Sequence, residues 1–211
     1  MTTPTSSTIL EVKGLRFRYP ERVLFSDWSA TLLLGVTGVL GGDGRGKTTL
    51  LRLLAGELAA DAGELCIHGV NLKTHEQSYR QQVFWTEPRT DAFDQMTPLE
   101  FFDLQRSTHA GFDGGMLARC VQGLALKLEL NKHLYMLSTG SKRKVFLAAA
   151  FASNAALTLL DMPFAALDKP SIGYVLSLLK EAAAHPTRAF VIADHAAPPG
   201  LRLAALIDLG D

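Results

Sequence analysis

Gly41-Gly42-Asp43-Gly44-Arg45-Gly46-Lys47-Thr48-Thr49 decides how the rest of this 211-residue chain is read. The stretch fits G-x-x-x-x-G-K-[ST], a phosphate-binding loop. Glycines at these spacings let successive backbone N–H groups turn inward and form a concave nest for phosphate oxygens. Lys47 can reach the β- and γ-phosphates as a point charge, and the Thr48 hydroxyl can ligate Mg²⁺. The flanks suit the loop. Gly35-Val36-Thr37-Gly38-Val39-Leu40 reads as a short buried strand feeding it. Thr49–Ala55 reads as a helix whose positive end faces the anion. Gly41, Gly42, Asp43, Gly44, Arg45, Gly46, Lys47, Thr48 and Thr49 are therefore candidates to hold a nucleoside triphosphate with Mg²⁺.

Working outward, strands and helices alternate. Upstream, Leu15–Tyr19 alternates apolar and basic residues as a half-exposed strand does, and Val23–Leu34 reads as a strand pair around a Ser26-Asp27 turn. Downstream come strands at Glu64–His68 and Val83–Trp85, then an irregular stretch from Thr86 to Met96. Thr97-Pro98-Leu99-Glu100 is a helix start with a Thr cap, Pro in the first turn and Glu placed for a capping box. Residues 97–136 read as mostly helical, broken at Gly111 and at Gly114-Gly115. A helix follows from about Ser141 to Ser153, and another around Ile172–Ala184. Strands are expected at Leu157–Asp161, Ala189–Ala193 and Leu206–Asp208. The alternation predicts an α/β fold with a largely parallel sheet and crossover connections. One domain spanning 1–211 is expected, with 8–96 and 137–211 as the α/β core and about 97–136 as an inserted helical subdomain.

Composition narrows the function classes. Lys plus Arg and Asp plus Glu are 21 each, so the formal net charge is zero. A nucleic-acid partner held by bulk charge is not expected. The two cysteines, Cys66 and Cys120, have no metal-like spacing and fit a reducing compartment. The start, Met-Thr-Thr-Pro-Thr-Ser-Ser-Thr, is polar, is expected to fray, and lacks the pattern of a signal peptide. No apolar run is long enough to span a membrane.

Leu157-Thr158-Leu159-Leu160-Asp161 is an apolar strand closed by a carboxylate, a Walker B pattern in which Asp161 would hold Mg²⁺ directly or through water. In series with the other motifs it resembles the ATP-binding cassette (ABC) family over nearly the whole chain. Tyr19 sits where that family has an aromatic that stacks on adenine, and Leu137-Ser138-Thr139-Gly140-Ser141 is similar to its signature, Leu-Ser-Gly-Gly-Gln. Ala166-Leu167-Asp168 resembles the D-loop, and Ile192-Ala193-Asp194-His195 the end of the switch-histidine strand. The resemblance implies a P-loop NTPase core with an antiparallel β subdomain and the helical insertion. It implies ATP and Mg²⁺ as ligands, and catalytic roles for Lys47 and for His195 as γ-phosphate sensor. Ser138 and Gly140 would touch the ATP of an opposite subunit, and Asp168 would belong to the D-loop. It further implies a second ATP-binding subunit, alike or different, a membrane permease partner, and a cytoplasmic place on the inner face of the membrane. Short bacterial cassettes of the haem-exporter type are the most similar in size and in the Leu-Leu-Arg-Leu-Leu-Ala-Gly helix.

Three departures bear on mechanism. The family carries Glu directly after the Walker B aspartate to polarise water, and this chain has Met162. A thioether cannot orient water as a base, and losing a positioned base costs about 10²–10⁴ in rate. Glu87, Asp194 and His195 are the candidates to replace it. Thr86-Glu87-Pro88-Arg89 stands where the family has the Q-loop glutamine, so Glu87 is also a candidate metal ligand. In the signature, Thr139 and Ser141 replace Gly and Gln. Two readings stay open: a weakened transport ATPase, and a pseudo-ATPase that uses ATP as a clamp. A GTPase would need Asn-Lys-x-Asp, and the nearest string, Asn131-Lys132-His133-Leu134, ends in Leu. Lys142-Arg143-Lys144 oppose the dipole of the helix they open. They are expected to face phosphate across a dimer, to face an acidic partner surface, or to form a solvated basic turn.

Overall fold

The computed structural model describes residues 8–87 and 89–210. The fraying expected of the first residues, Pro88 of the Q-loop stretch and Asp211 therefore fall outside the described residues, apart from Thr8.

Two sheets divide the strands. In the first, β1 (Thr8–Tyr19) lies between β2 (Arg22–Leu33) and β4 (Ala62–Ile67), with β5 (Val70–Asn71) at the edge, all antiparallel. The second is parallel and runs β6 (Val83–Phe84), β7 (Leu157–Asp161), β8 (Ala189–Asp194), β3 (Gly35–Leu40), β9 (Ala205–Asp208). The α1 helix (Lys47–Leu54) follows the phosphate loop, and a short α2 (Glu76–Arg80) precedes β6. Between β6 and β7 lie α3 (Pro98–Thr108), α4 (Gly114–Gly123), a 3₁₀ turn (Leu134–Met136) and α5 (Thr139–Ala152). The α6 helix (Lys169–Ala182) crosses from β7 to β8. The fold is mixed α/β, with the parallel sheet expected from the alternation of elements.

The apolar runs of β7 and β8 are explained by burial on both faces. Val36, Leu160, Phe190 and Ile192 point into a core shared with α3 to α6. Val39, Leu157, Leu159, Val191 and Ala193 point into a second core with α1 and the antiparallel sheet. Period-two alternation thus binds three layers together.

The expected strand pair over Val23–Leu34 is one strand, β2, bent where Asp27 takes a φ of 69°. Pairing to β1 continues on both sides of the bend, Phe17 with Phe25 and Leu15 with Trp28, so the kink is a bulge rather than a turn. Gly114 and Gly115 open α4 instead of breaking a helix. Asp113 caps it, accepting from Gly115 N at 2.8 Å and Met116 N at 3.0 Å. At α3 the capping box forms as read: Glu100 N donates to Thr97 Oγ1 at 3.3 Å, and Thr97 N donates to Glu100 Oε2 at 2.7 Å. No helix among the described residues is long and apolar enough to cross a membrane.

Candidate nucleotide-binding site

The carboxyl ends of β3, β7 and β8 lie side by side, with Leu40 paired to Asp194 and Asp161 to Ala193. This edge of an open parallel sheet is where such folds bind ligands. A cavity of about 520 Å³ sits here, lined by the loop from Asp43 to Thr49 and by Tyr19, Arg22 and Leu24 of the β1–β2 hairpin. Glu87 and Arg89 line it from beyond β6, and Arg143, Asp161, Met162 and Ala165 complete it.

The loop is built for an anion. Gly46 caps α1 in the left-handed region, φ 97°, and no side chain takes up the cap. The first-turn N–H groups of α1 are thereby left to a ligand. Gly41 is required by close approach, because a Cβ there would lie 2.9 Å from the carbonyl of Gly210. Gly42 N donates to that same carbonyl at 3.0 Å, so residues after β9 pin the start of the loop. Buried Lys47 donates from Nζ to the carbonyls of Gly41 at 2.5 Å and Gly42 at 2.8 Å. Arg22, which sequence reading passed over, donates from Nη1 to Gly44 O at 2.8 Å and braces the loop tip. Tyr19 is 43% exposed beside the cavity, with its hydroxyl 3.3 Å from Thr49 Oγ1 and its ring edge-on to Phe17. One aromatic residue is thus held at the cavity wall from below.

Thr48 and Asp161 meet. Thr48 Oγ1 donates to Asp161 Oδ2 at 2.5 Å. Burial pushes the Asp161 carboxyl above its ordinary range, opposed by the Thr48 bond and by the charges of Arg143 and Lys47. Two hard oxygens at one point suit Mg²⁺, which takes one or two protein oxygens and completes its shell with phosphate and water. Among the described residues no group of three or more His, Cys, Asp or Glu is placed to hold a metal ion.

The sign of the Asp161 shift gives a test. A carboxyl raised in the folded state favours the neutral form, so stability falls as pH rises from its ordinary pKa through the raised value. Asp161→Asn is therefore expected to raise the thermal midpoint of the nucleotide-free protein at pH 7. The same change should abolish any further rise that Mg²⁺ adds in the presence of ATP. Differential scanning fluorimetry reads both, and a lower nucleotide-free midpoint would show that the carboxylate is stabilising instead.

The other motif residues are placed as follows. His195 is exposed and absent from the cavity lining; its Nε2 is 3.6 Å from Asp43 Oδ1, and Asp43 does line the cavity. Glu87 is exposed on the cavity wall. Ser138 caps α5, accepting from Ser141 N at 3.1 Å. A Cβ on Gly140 would lie 2.4 Å from Ala166 O, so glycine is needed for the first turn of α5 to meet the 162–168 segment in the same chain. Asp168 caps α6 through Ser171 N at 2.8 Å, and the Lys144 ammonium beside it holds its carboxyl well below the usual range. Met162 lines the cavity with φ 46°, its N–H donating to Ala193 O at 2.8 Å.

The basic triplet is not a solvated turn, nor are its charges directed away from the chain. Lys142 pairs with Asp94, Lys144 pairs with Asp168, and Arg143 is buried against the nucleotide cavity of its own chain. Each cation that opposes the helix dipole has acceptors placed for it. The sequence signal was that unfavourable dipole, and only the fold supplies the partners.

A glycine loop between a parallel strand and a helix, with a hydroxyl–carboxylate pair at its mouth and a signature helix beside it, defines an ATP-binding cassette. The chain belongs to the ABC transporter family, whose model matches residues 33–165. It is 37% identical over 164 residues, 76% of either chain, to the cytochrome c biogenesis ATP-binding export protein CcmA of Escherichia coli O157:H7. It is 33% identical over 198 residues to CcmA 2 of Salmonella paratyphi A, covering 91% of this chain and 92% of that one. In shape it is similar to a solved ATP-binding subunit of an ABC transporter, with a TM-score of 0.79 and 24% identity over 89% of this chain and 80% of that one. That last likeness is one of fold.

Proposed function

We propose that this chain is the ATP-binding subunit of a bacterial transport system, coupling ATP·Mg²⁺ binding and slow hydrolysis to a separate membrane permease. The observation that carries the reading is the 2.5 Å Thr48–Asp161 pair lining the same cavity as Lys47. Relatives named for export in cytochrome c biogenesis support an export system of that type. Lys47 would exchange the Gly41 and Gly42 carbonyls for phosphate oxygens. Thr48 and Asp161 would hold the metal, Mg²⁺ neutralising phosphate charge when bound, and Tyr19 would stack on the base. His195 would leave Asp43 for the γ-phosphate. Ser138 and Gly140 would serve the ATP of a second subunit, alike or different, with Asp168 between the two sites. The pair would sit on the cytoplasmic face of the membrane against the permease.

Met162 favours a second reading, in which ATP is a clamp for dimerisation or regulation and is not consumed. Both readings share one test. The purified chain is expected to bind ATP in preference to GTP. Lys47→Ala is expected to weaken ATP binding by about 10- to 100-fold, the loss of a charge-assisted hydrogen-bonding group. Isothermal titration checks this, and absence of ATP binding by the wild type would sink both. Phosphate release then separates them: turnover above that of Lys47→Ala supports the transport ATPase, and none supports the clamp.

A further inference from the structure

At the end of the cavity that holds Asp161 and Met162 stands a cation that the roles above leave unused. Arg143 is 8% exposed and lines both the nucleotide cavity and a small pocket behind it, walled by Phe84, Phe146 and Leu160. Its Nη1 donates to the carbonyls of Asp161, at 3.2 Å, and of Met162. Its Nε is buried without a partner. Desolvation pushes its pKa down, opposed by the carboxylates of Asp161 and Asp194, and the nearby positive charge of Arg89, also on the cavity wall, adds to the lowering. A buried guanidinium so placed keeps an N–H without an acceptor at the wall of the cavity. A terminal phosphate supplies acceptors, and its oxygens match the planar donor fork of arginine.

We propose that Arg143 contacts the terminal phosphate of the bound nucleotide from within the same chain and makes the site select triphosphate over diphosphate. This rests on the cavity being an ATP site. The side chain holds the backbone at Asp161 and Met162 while it meets the phosphate. The metal carboxylate and the phosphate contact are therefore set by one residue, at the point where the chain has lost the family's glutamate. Selection by Arg143 also works without a divalent cation, because it is charge on charge.

The test is affinity for ATP and for ADP, by displacement of a fluorescent ATP analogue, in Mg²⁺ and in EDTA. The proteins compared are wild type, Arg143→Gln and Arg143→Lys, each with its nucleotide-free melting temperature recorded. Wild type is expected to prefer ATP in EDTA as well as in Mg²⁺. Arg143→Gln is expected to lose about tenfold or more in ATP affinity while ADP changes little, and Arg143→Lys to fall between. Equal losses for ATP and ADP in the variants would show that Arg143 only supports the Walker B backbone, and would overturn the proposal. If Arg143→Gln does not fold, Arg143→Lys and the wild-type preference in EDTA decide, and no preference there overturns it. ATP binding with an unmoved ATP-to-ADP ratio defeats this inference alone. No nucleotide binding by wild type defeats the ATP reading with it.

Discussion

ATP turnover by the Met162→Glu variant is expected to exceed that of the wild type by about 10²–10⁴-fold, the usual contribution of a positioned general base. Met162 directly follows Asp161 and lines the cavity. A carboxylate there would line the cavity beside Asp161. The backbone tolerates the exchange for a simple reason. Residue 162 is held at φ 46°, a conformation costly for any side chain, but Met and Glu are both unbranched at Cβ and pay it alike. Phosphate release at saturating ATP·Mg²⁺ measures the effect, with Met162→Gln as the control that has the shape but not the basicity. ATP binding without a gain in Met162→Glu would show that something other than the missing carboxylate limits turnover. A gain absent from Met162→Gln would mark the wild-type chain as a subunit with a weakened site of its own.

Unfolding free energy is expected to fall by about 3–5 kcal/mol in Arg188→Met, because the buried carbonyls of Ala155 and Phe151 lose the Arg188 donor at once, while Ala150 O keeps the Ser153 hydroxyl. Arg188 is 6% exposed at the entrance to β8. It donates to the carbonyls of Ala155 at 3.0 Å, Phe151 at 3.1 Å and Ala150 at 3.2 Å, and to Thr158 Oγ1 at 3.1 Å. Two of those carbonyls belong to the last turn of α5, which has no N–H of its own to offer them. The guanidinium also lies 4.7 Å from the centre of the Phe190 ring. Burial lowers its pKa to about 10, which still leaves it a cation at neutral pH. Urea unfolding reads the loss, and a value below about 1 kcal/mol would mean that water replaces the side chain. ATP affinity should not change while the variant is folded, because Arg188 precedes β8 and the cavity lies at the other end of that strand.

What the sequence made legible was local and periodic. The phosphate loop, the apolar runs of β7 and β8 and the Thr97–Glu100 capping box depend on near neighbours, and each is found in its place. What escaped depends on partners far along the chain. Asp27 looks like a turn until Phe17 and Leu15 are seen pairing on either side of it. The α6 helix begins at Lys169, ahead of its apolar face, because Asp168 caps it and Pro170 fits its first turn. Lys142, Arg143 and Lys144 look unpaired until Asp94, the 161–162 carbonyls and Asp168 are brought to them. Arg188 has no motif at all. Apart from Thr158 Oγ1, its acceptors are main-chain oxygens, which no side-chain pattern advertises.

The strand order carries a consequence for how the molecule is made. The phosphate loop is encoded early, yet β3 pairs on one side with β8 and on the other with β9, Leu40 meeting Asp194 and Asp208. Such distant parallel pairings close slowly, since the entropy of a long loop is lost before any contact offsets it. On the ribosome, the strand that feeds the loop has no neighbour until residues 189–208 have emerged, and Gly210 anchors the loop only after them. The nucleotide pocket therefore needs β8 and β9 in place before its loop is held. A nascent chain interrupted before β8 would carry the whole glycine motif and still lack the sheet that shapes it.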